Sequence, residues 1–486
     1  MTDFLRRGSA PNDHANADSW YDATGKINGF VADQLALNSR IISAGERRFE
    51  GGATTEARIA LADAQCVLEL APILYIPAFM LPYDITLCPA SASVKRIREG
   101  GTSDHYDVQA YGAAGDGVQD DTNGVRAALT VVMAAVSPTI GGIVYFPEGR
   151  YRITAKLLID SGQRIQLLGA GRAAAILMNE VVGSPADPMI ELTSPSAYYL
   201  IQGLGIDGNN LTGAAGNGHA IALINRQAGA GSTTFFPQQV MIRDCTIQFH
   251  QGTGKDSTGA SIPACAVYGF GGTGDYLSNT FSYTNKTGYR FDLMSKVYLT
   301  QCSVDVASEC AVRIENGSDA IGMVGCILNG SGAGGAQQGL LYVRTSTNIS
   351  FAGGRLKNGY PYLVNVASDG SYADGISIRD SSCQQYDVAG GHTAFAIGNG
   401  VRGCTIDGNV IEFVGTITDA VGVLTTQCIT GHSLTGLRIT GNGFHTGSGG
   451  TIAACVRLNT TSNTVLGALI ESNTFGTYEN IAQTIT

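Results

Sequence analysis

One short internal repeat constrains this chain more than any other feature. Its form is apolar-x-x-(small, Asn or Cys)-x-apolar. It occurs as IRDCTI from Ile242, YLSNTF from Tyr276, LTQCSV from Leu299, MVGCIL from Met323 and FAGGRL from Phe351. It continues as IRDSSC from Ile378, IDGNVI from Ile406, ITGNGF from Ile439 and IESNTF from Ile470, with a looser copy, IQGLGI, from Ile201. Successive copies start 23 to 41 residues apart, as expected for a coil of about two dozen residues carrying insertions. Such a coil cannot bury its apolar face alone, so coils must stack, with parallel strands about 4.8 Å apart. The fourth position, at the bend between two inward apolar residues, reads Cys245, Asn279, Cys302, Cys326, Gly354, Ser381, Asn409, Asn442 and Asn473. Amides there can hydrogen-bond along the stack, and a buried thiol fills the same space. They are expected as core turn residues rather than metal ligands.

Glycine marks where the solenoid begins. Of 65 glycines, residues 1–100 hold only 7. Charged residues are 14 % of the chain, against roughly 25 % in ordinary globular proteins, which suits strands and tight turns better than solvated helices. The net charge of −10 opposes general nucleic-acid binding, which rests on phosphate neutralisation. No apolar run is long enough to span a membrane, and MTDFLRRGSAPNDHANADSW lacks the apolar core of a secretory signal. Eleven cysteines without a C-x-x-C pair read as buried free thiols made in a reducing cytosol. Neither a metal nor a cofactor is expected.

Residues 31–48 and 54–70 are helix-compatible. Pro72, Pro77, Pro82 and Pro89 then break the chain into extended, packed connections. Residues 1–100 are read as an attachment or assembly segment, 101–160 as a cap and 161–486 as the parallel solenoid. In the cap, Tyr106 to Tyr111 reads as a short strand and Gly112 to Gly117 as a glycine turn. Asp120, Asp121 and Thr122 precede a helix with apolar positions Val125, Leu129, Val132 and Val136, where carboxylates would cap free N–H groups. GGIVYFPEGRYRIT follows as strand, turn and strand.

The run YGAAGDGVQDDT, the RAAL helix and GGIVYFPEGRYRI resembles the opening of the pectate-lyase-like superfamily. The resemblance implies an all-β fold: a right-handed single-stranded parallel β-helix of roughly 10–13 coils, with a capping helix and a partly helical N-terminal segment. It makes Asp120 and Asp121 structural, and Asp207 in GIDGNN as well. The polygalacturonase branch carries Asn-Thr-Asp, a later Asp-Asp, Gly-His-Gly and Arg-x-Lys. This chain has Arg355-Leu356-Lys357 and Gly391-His392-Thr393, lacks the Asn-Thr-Asp, and has its only Asp-Asp in the cap.

Equivalent side chains of successive coils form columns, and a long shallow groove of columns suits a linear polymer. The residue after each repeat's last apolar position should face outward: Asp305, Asn329, Lys357, Gln384, Glu412 and His445. Glu412 and His445 would then be neighbours able to act as an acid/base pair. Arg379 and Asp407 share the second repeat position of adjacent coils, with Asp380 beside Arg379, and an ion pair is expected between them. Glycoside hydrolysis needs two carboxyl groups roughly 5 to 9.5 Å apart, and Asp380, Asp407 and Glu412 are the candidates. A lyase would need a base and a cation, for which Lys357, Arg355 and Arg379 are available. Asp380, Asp407, Glu412 and His445 are thus the catalytic candidates, and Asp305, Arg355, Lys357 and Arg379 the substrate-binding ones.

The resulting expectation is a bacteriophage tailspike or tail-fibre protein, a homotrimer located in the virion and synthesised in the host cytoplasm. It would bind host surface polysaccharide, with or without cleaving it, and join other tail proteins through residues 1–100. Neither nucleic-acid binding nor membrane insertion is expected. The alternatives are a non-catalytic structural or adaptor virion protein, or a free bacterial polysaccharide lyase or hydrolase.

Overall fold

A computed structural model describes most of residues 105–475 together with 484–485. Outside it lie 1–104, 136–141, 162–163, 194–197, 210–215, 226–235, 238, 332–338, 370, 387–392, 399, 415–419, 427–432, 447–451, 459–463, 476–483 and 486. The expected N-terminal helices, the extended proline segment, Val136, Gly391 and His392 therefore fall outside the described residues.

The chain winds as a parallel β-helix with three sheets running its length. The first has a path of 13 strands, the second 13 and the third 12, and in each sheet a strand pairs with its counterpart one coil earlier and one coil later. The sheets begin at His105–Asp107 and Asp116–Asp120 and pass without a break through residue 160. Inward side chains of all three sheets form one continuous apolar core, which includes Phe351, Phe395, Phe413 and Phe444.

The repeat supplies the corner between the first and second sheets. Its first apolar residue ends up inside the first sheet, its last inside the second, and its third residue is left-handed in all ten copies. That residue is Gly203, Asp244, Asn279, Gln301, Gly325, Gly353, Asp380, Gly408, Gly441 or Ser472, all with φ between 43° and 67°. The fourth position is buried in most coils and half-buried at Gly354 and Asn473, and one copy is out of register. Leu277, not Tyr276, pairs with Ile242 and Leu299, so the buried corner of that coil is Thr280 and Asn279 points out. Tyr276 and Leu277 are both apolar enough to open the pattern, and a one-residue slip exchanges the two faces of a strand.

In the last coils the corner amides form the anticipated ladder. Asn409 Nδ2 donates to Asn442 Oδ1 and Asn442 Nδ2 to Asn473 Oδ1, each at 3.0 Å. The same amides donate to the carbonyls of Ile378 and Ile406. All eight cysteines among the described residues are free and buried.

The cap differs from expectation in one detail. The strand stops at Asp107, and Val108–Tyr111 turns into a 3-10 helix. The Asp107 carboxylate accepts the Gln109 N–H at its start, and Gly112 closes it at φ 95°. Asp120 caps the helix Thr122–Ala135 by accepting from the Thr122 N–H at 3.0 Å. Buried Asp121 instead accepts from the N–H groups of Ala114 and Arg152, tying the glycine loop to the next coil. Val125, Leu129 and Val132 are buried against the first coil. Among the described residues, no helix is long and apolar enough to cross a membrane.

Candidate glycan-binding face

The strands of the second sheet place their third residues on its outer surface in register. Pairing runs Asp207–Gln248–Tyr283–Asp305–Asn329–Lys357–Gln384–Glu412–His445, one residue per coil. Nine positions at about 4.8 Å span roughly 38 Å of outer face. Neighbours on this column interact directly. Asn329 Nδ2 donates to Asp305 Oδ1 at 2.6 Å, Gln384 Nε2 to Glu412 Oε2 at 2.8 Å, and Gln248 Nε2 to Asp207 Oδ2 at 3.3 Å. The Lys357 ammonium lies 5.1 Å from the centre of the Tyr386 ring. Phe281 and Tyr283 stack at 6.0 Å between centroids, and Phe249 meets Tyr283 edge-on at 5.8 Å.

Glu412 and His445 are direct strand partners, yet no hydrogen bond joins them. Gln384 holds the Glu412 carboxylate, while the exposed His445 ring turns toward Gly443, where Nε2 lies 2.8 Å from the position a Cβ would take. Arg379 and Asp407 are likewise strand partners, on the first sheet. The expected ion pair is absent: Arg379 Nε donates to Ser377 Oγ at 3.0 Å, and Asp407 Oδ1 accepts from Thr440 Oγ1 at 2.6 Å. Short hydroxyl partners in the same or the next coil outcompete a long, exposed ion pair. Asp380 sits at the left-handed corner beside Asp407, with its carboxylate over Gly408. Glu412 lies on the other sheet, beyond the Asn409 corner. The Arg355 side chain is exposed and makes no hydrogen bond or ion pair among the described residues. The catalytic candidates are therefore distributed over two faces.

The third sheet carries a group of charges that the repeat does not reveal. Arg290 and Asp292 pair in register with Arg313 and Glu315 of the next coil, pointing away from the apolar core. Glu315 is wholly buried and receives three guanidinium groups: Arg313 Nε at 2.5 Å, Arg344 Nη2 at 3.1 Å and Arg290 Nη2 at 3.2 Å. Arg290 Nε also donates to Asp292 Oδ2 at 3.1 Å, whereas the buried Asp292 Oδ1 has no hydrogen-bond partner. Burial raises the Asp292 carboxyl above the usual range against the pull of Arg290. The signal lay in YRFD and VRIE, two strands with charge on alternate residues spaced one coil apart. Among the described residues, no cluster of His, Cys, Asp and Glu could hold a metal ion.

Comparison with known proteins fits this geometry. Residues 106–337 match a family model described as rhamnogalacturonase A/epimerase, pectate lyase-like. The mannuronan C5-epimerase AlgE6 of Azotobacter vinelandii is 32 % identical over 115 residues, covering 21 % of this chain. That match spans only 12 % of the epimerase's own length. In structure, the A-module of the same epimerase superposes with a TM-score of 0.54 at 17 % identity, over 77 % of this chain and 96 % of the module. A DFA-IIIase of Arthrobacter chlorophenolicus A6 without its lid superposes at 0.57 and 12 % identity, over 79 % of this chain and all of that one. Together with the three-sheet parallel coil and its capped first turn, these matches show a right-handed parallel β-helix in which residues 106–337 match the pectate-lyase-like family.

Proposed function

We propose that this chain is a bacteriophage tailspike or tail-fibre protein whose solenoid binds host surface polysaccharide lengthwise along the second sheet. The observation that carries the reading is the unbroken outer column from Asp207 to His445, in which seven of nine coils present an amide, carboxylate or ammonium group and the other two Tyr283 and His445. A linear glycan offers hydroxyl donors and acceptors at a repeat of similar length, and its ring faces suit Tyr283 and Phe281. The epimerase relatives act on mannuronan, a linear polysaccharide, which supports the substrate class. The free buried thiols support synthesis in a reducing cytosol. Residues 1–100 would join the chain to other tail proteins, and a homotrimer is the expected assembly.

A second reading is favoured by the third sheet. Asp292 has an unpartnered buried oxygen and a raised carboxyl beside Arg290. Were a uronate admitted there, Arg290 and Arg313 could hold its carboxylate while Asp292 moved the adjacent proton. This is the acid/base step of a lyase or an epimerase.

Purified chain mixed with capsule or lipopolysaccharide from the host separates the readings. Binding without shortening, new ultraviolet absorbance or inversion of a ring carbon in the NMR spectrum of the glycan indicates an adaptor. Unsaturated products that disappear in Asp292→Asn indicate a lyase. No retention on any host glycan would overturn the proposal. Light scattering that gives a monomer would remove the trimer, and a chain lacking 1–100 that still enters particles would remove the attachment role.

A further inference from the structure

We infer a discrete subsite for one anionic sugar ring at the corner between the first and second sheets, separate from the extended column but contiguous with it. A cavity of about 210 Å³ opens there, lined by Arg172, Thr246, Asn279, Phe281, Gln301 and Ser303. Its size suits a single pyranose ring rather than a chain of them.

The lining has three components, each matched to part of such a ring. Phe281 provides an apolar platform, backed by its stack on Tyr283. Thr246, Phe281 and Ser303 occupy the same position in three consecutive coils, so a hydroxyl flanks the aromatic on either side. Arg172 comes from the turn between the strands ending at Gly169 and starting at Ala175, three coils before Asn279. Arg172 is exposed and has neither an ion pair nor a hydrogen bond among the described residues, so its guanidinium is available for a carboxylate.

The backbone gives an independent reason to regard this corner as selected. The third repeat position is left-handed in all ten copies, and five of the ten place glycine there. Asp244, Asn279 and Gln301, in three consecutive coils, keep side chains instead. A non-glycine residue in that conformation costs about 1 kcal/mol or more. Asn279 and Gln301 reach the cavity wall, and Asp244 orients one of them by accepting from Asn279 Nδ2 at 2.8 Å. That bond uses the amide nitrogen, and the Asn279 side-chain oxygen, with no hydrogen bond of its own among the described residues, can accept from a sugar hydroxyl. Gln301 makes no side-chain hydrogen bond among the described residues. Glycine at these positions would relax the turns and remove both amides.

The inference rests on the glycan-binding reading of the second sheet, and the test separates the two. Intact chain is titrated with galacturonate, its methyl ester and galactose by ligand-observed NMR, and with a host capsule preparation by sedimentation. The subsite predicts that galacturonate binds at least fivefold more tightly than the ester or galactose, and that Arg172→Gln abolishes this difference. Asn279→Gly and Gln301→Gly should weaken all three monosaccharides while leaving thermal stability equal or higher. Equal binding of the three monosaccharides, or a galacturonate preference that survives in Arg172→Gln, overturns the subsite. Capsule binding that is lost in Lys357→Ala but unchanged in Arg172→Gln would overturn the subsite while keeping the extended face. Loss of neither would count against the glycan-binding face itself.

Discussion

The second and third sheets share one backbone plan and use their outward residues in opposite ways. On the second, polar side chains stand half-exposed in a row and bond to neighbours one coil away. On the third, three arginines converge on a carboxylate with no exposed surface. Exposed pairs contribute little to stability because water competes for each partner. A buried network is different: deleting one member leaves the others charged and unpaired. The wet face can therefore vary with its ligand at small cost to the fold, while the dry cluster is bound to the fold itself.

That contrast is most severely tested at Glu315. Glu315→Ala leaves three guanidinium groups without their shared partner and should lower stability by about 3–5 kcal/mol, read as the shift in urea midpoint. A change under about 1 kcal/mol would mean that the cluster is better solvated than its burial indicates.

Acidification tests the buried groups a second way, with a loss at pH 4 at least as large. Burial pushes His250 down to about 4 and His219 down to about 3. His219 accepts from the Cys265 N–H through Nδ1, and its Nε2 lies 3.1 Å from the Lys255 carbonyl, fixing a neutral tautomer. Both rings bind protons more readily in the unfolded chain, so stability is present above about pH 6.5 and declines as pH falls toward 4 and then 3. The loss approaches about 1.4 kcal/mol per ring per pH unit in that window. Buried Asp275, raised to about 7 by burial, acts in the other direction, because its stabilising proton is lost as pH rises from the ordinary carboxyl range to 7. Denaturant titrations from pH 4 to 8 should show His250→Asn flattening the acid side and Asp275→Asn the neutral side.

The corner ladder should give an intermediate loss. Asn442→Ala removes donors to Ile406 and Asn473 and an acceptor for Asn409, a cost of about 2 kcal/mol, measured in the same denaturant series. Smallest of all in stability is Lys357→Ala, expected within about 0.5 kcal/mol of the parent yet at least tenfold weaker on glycan.

The architecture was legible because its signal is redundant: the same apolar pair and bend recur coil after coil, and stacking leaves one way to bury them. The outer column followed from that frame, down to the register of Asp305 through His445. Where two apolar residues stood side by side, as at Tyr276 and Leu277, the frame slipped by one. Side-chain pairing was much less legible. Arg379 and Asp407 are adjacent in sequence register but turn to nearby hydroxyls, and Glu412 bonds to Gln384 rather than to His445. The Glu315 cluster is hidden in the sequence because it depends on Arg344 of the next coil, 29 residues on, as much as on the alternation within VRIE. The 3-10 turn at Val108–Tyr111 depends on a carboxylate cap that strand propensity does not register.

The central claim is that polysaccharide lies on the second sheet. Its most direct measurement is equilibrium binding of host glycan to the parent chain, to a Lys357→Ala/Gln384→Ala double variant and to Glu315→Gln, each normalised to folded protein. The account predicts at least tenfold weaker binding for the double variant and parent-like binding for Glu315→Gln. Parent-like binding by the double variant, with loss in Glu315→Gln, would contradict it and move the ligand to the third sheet.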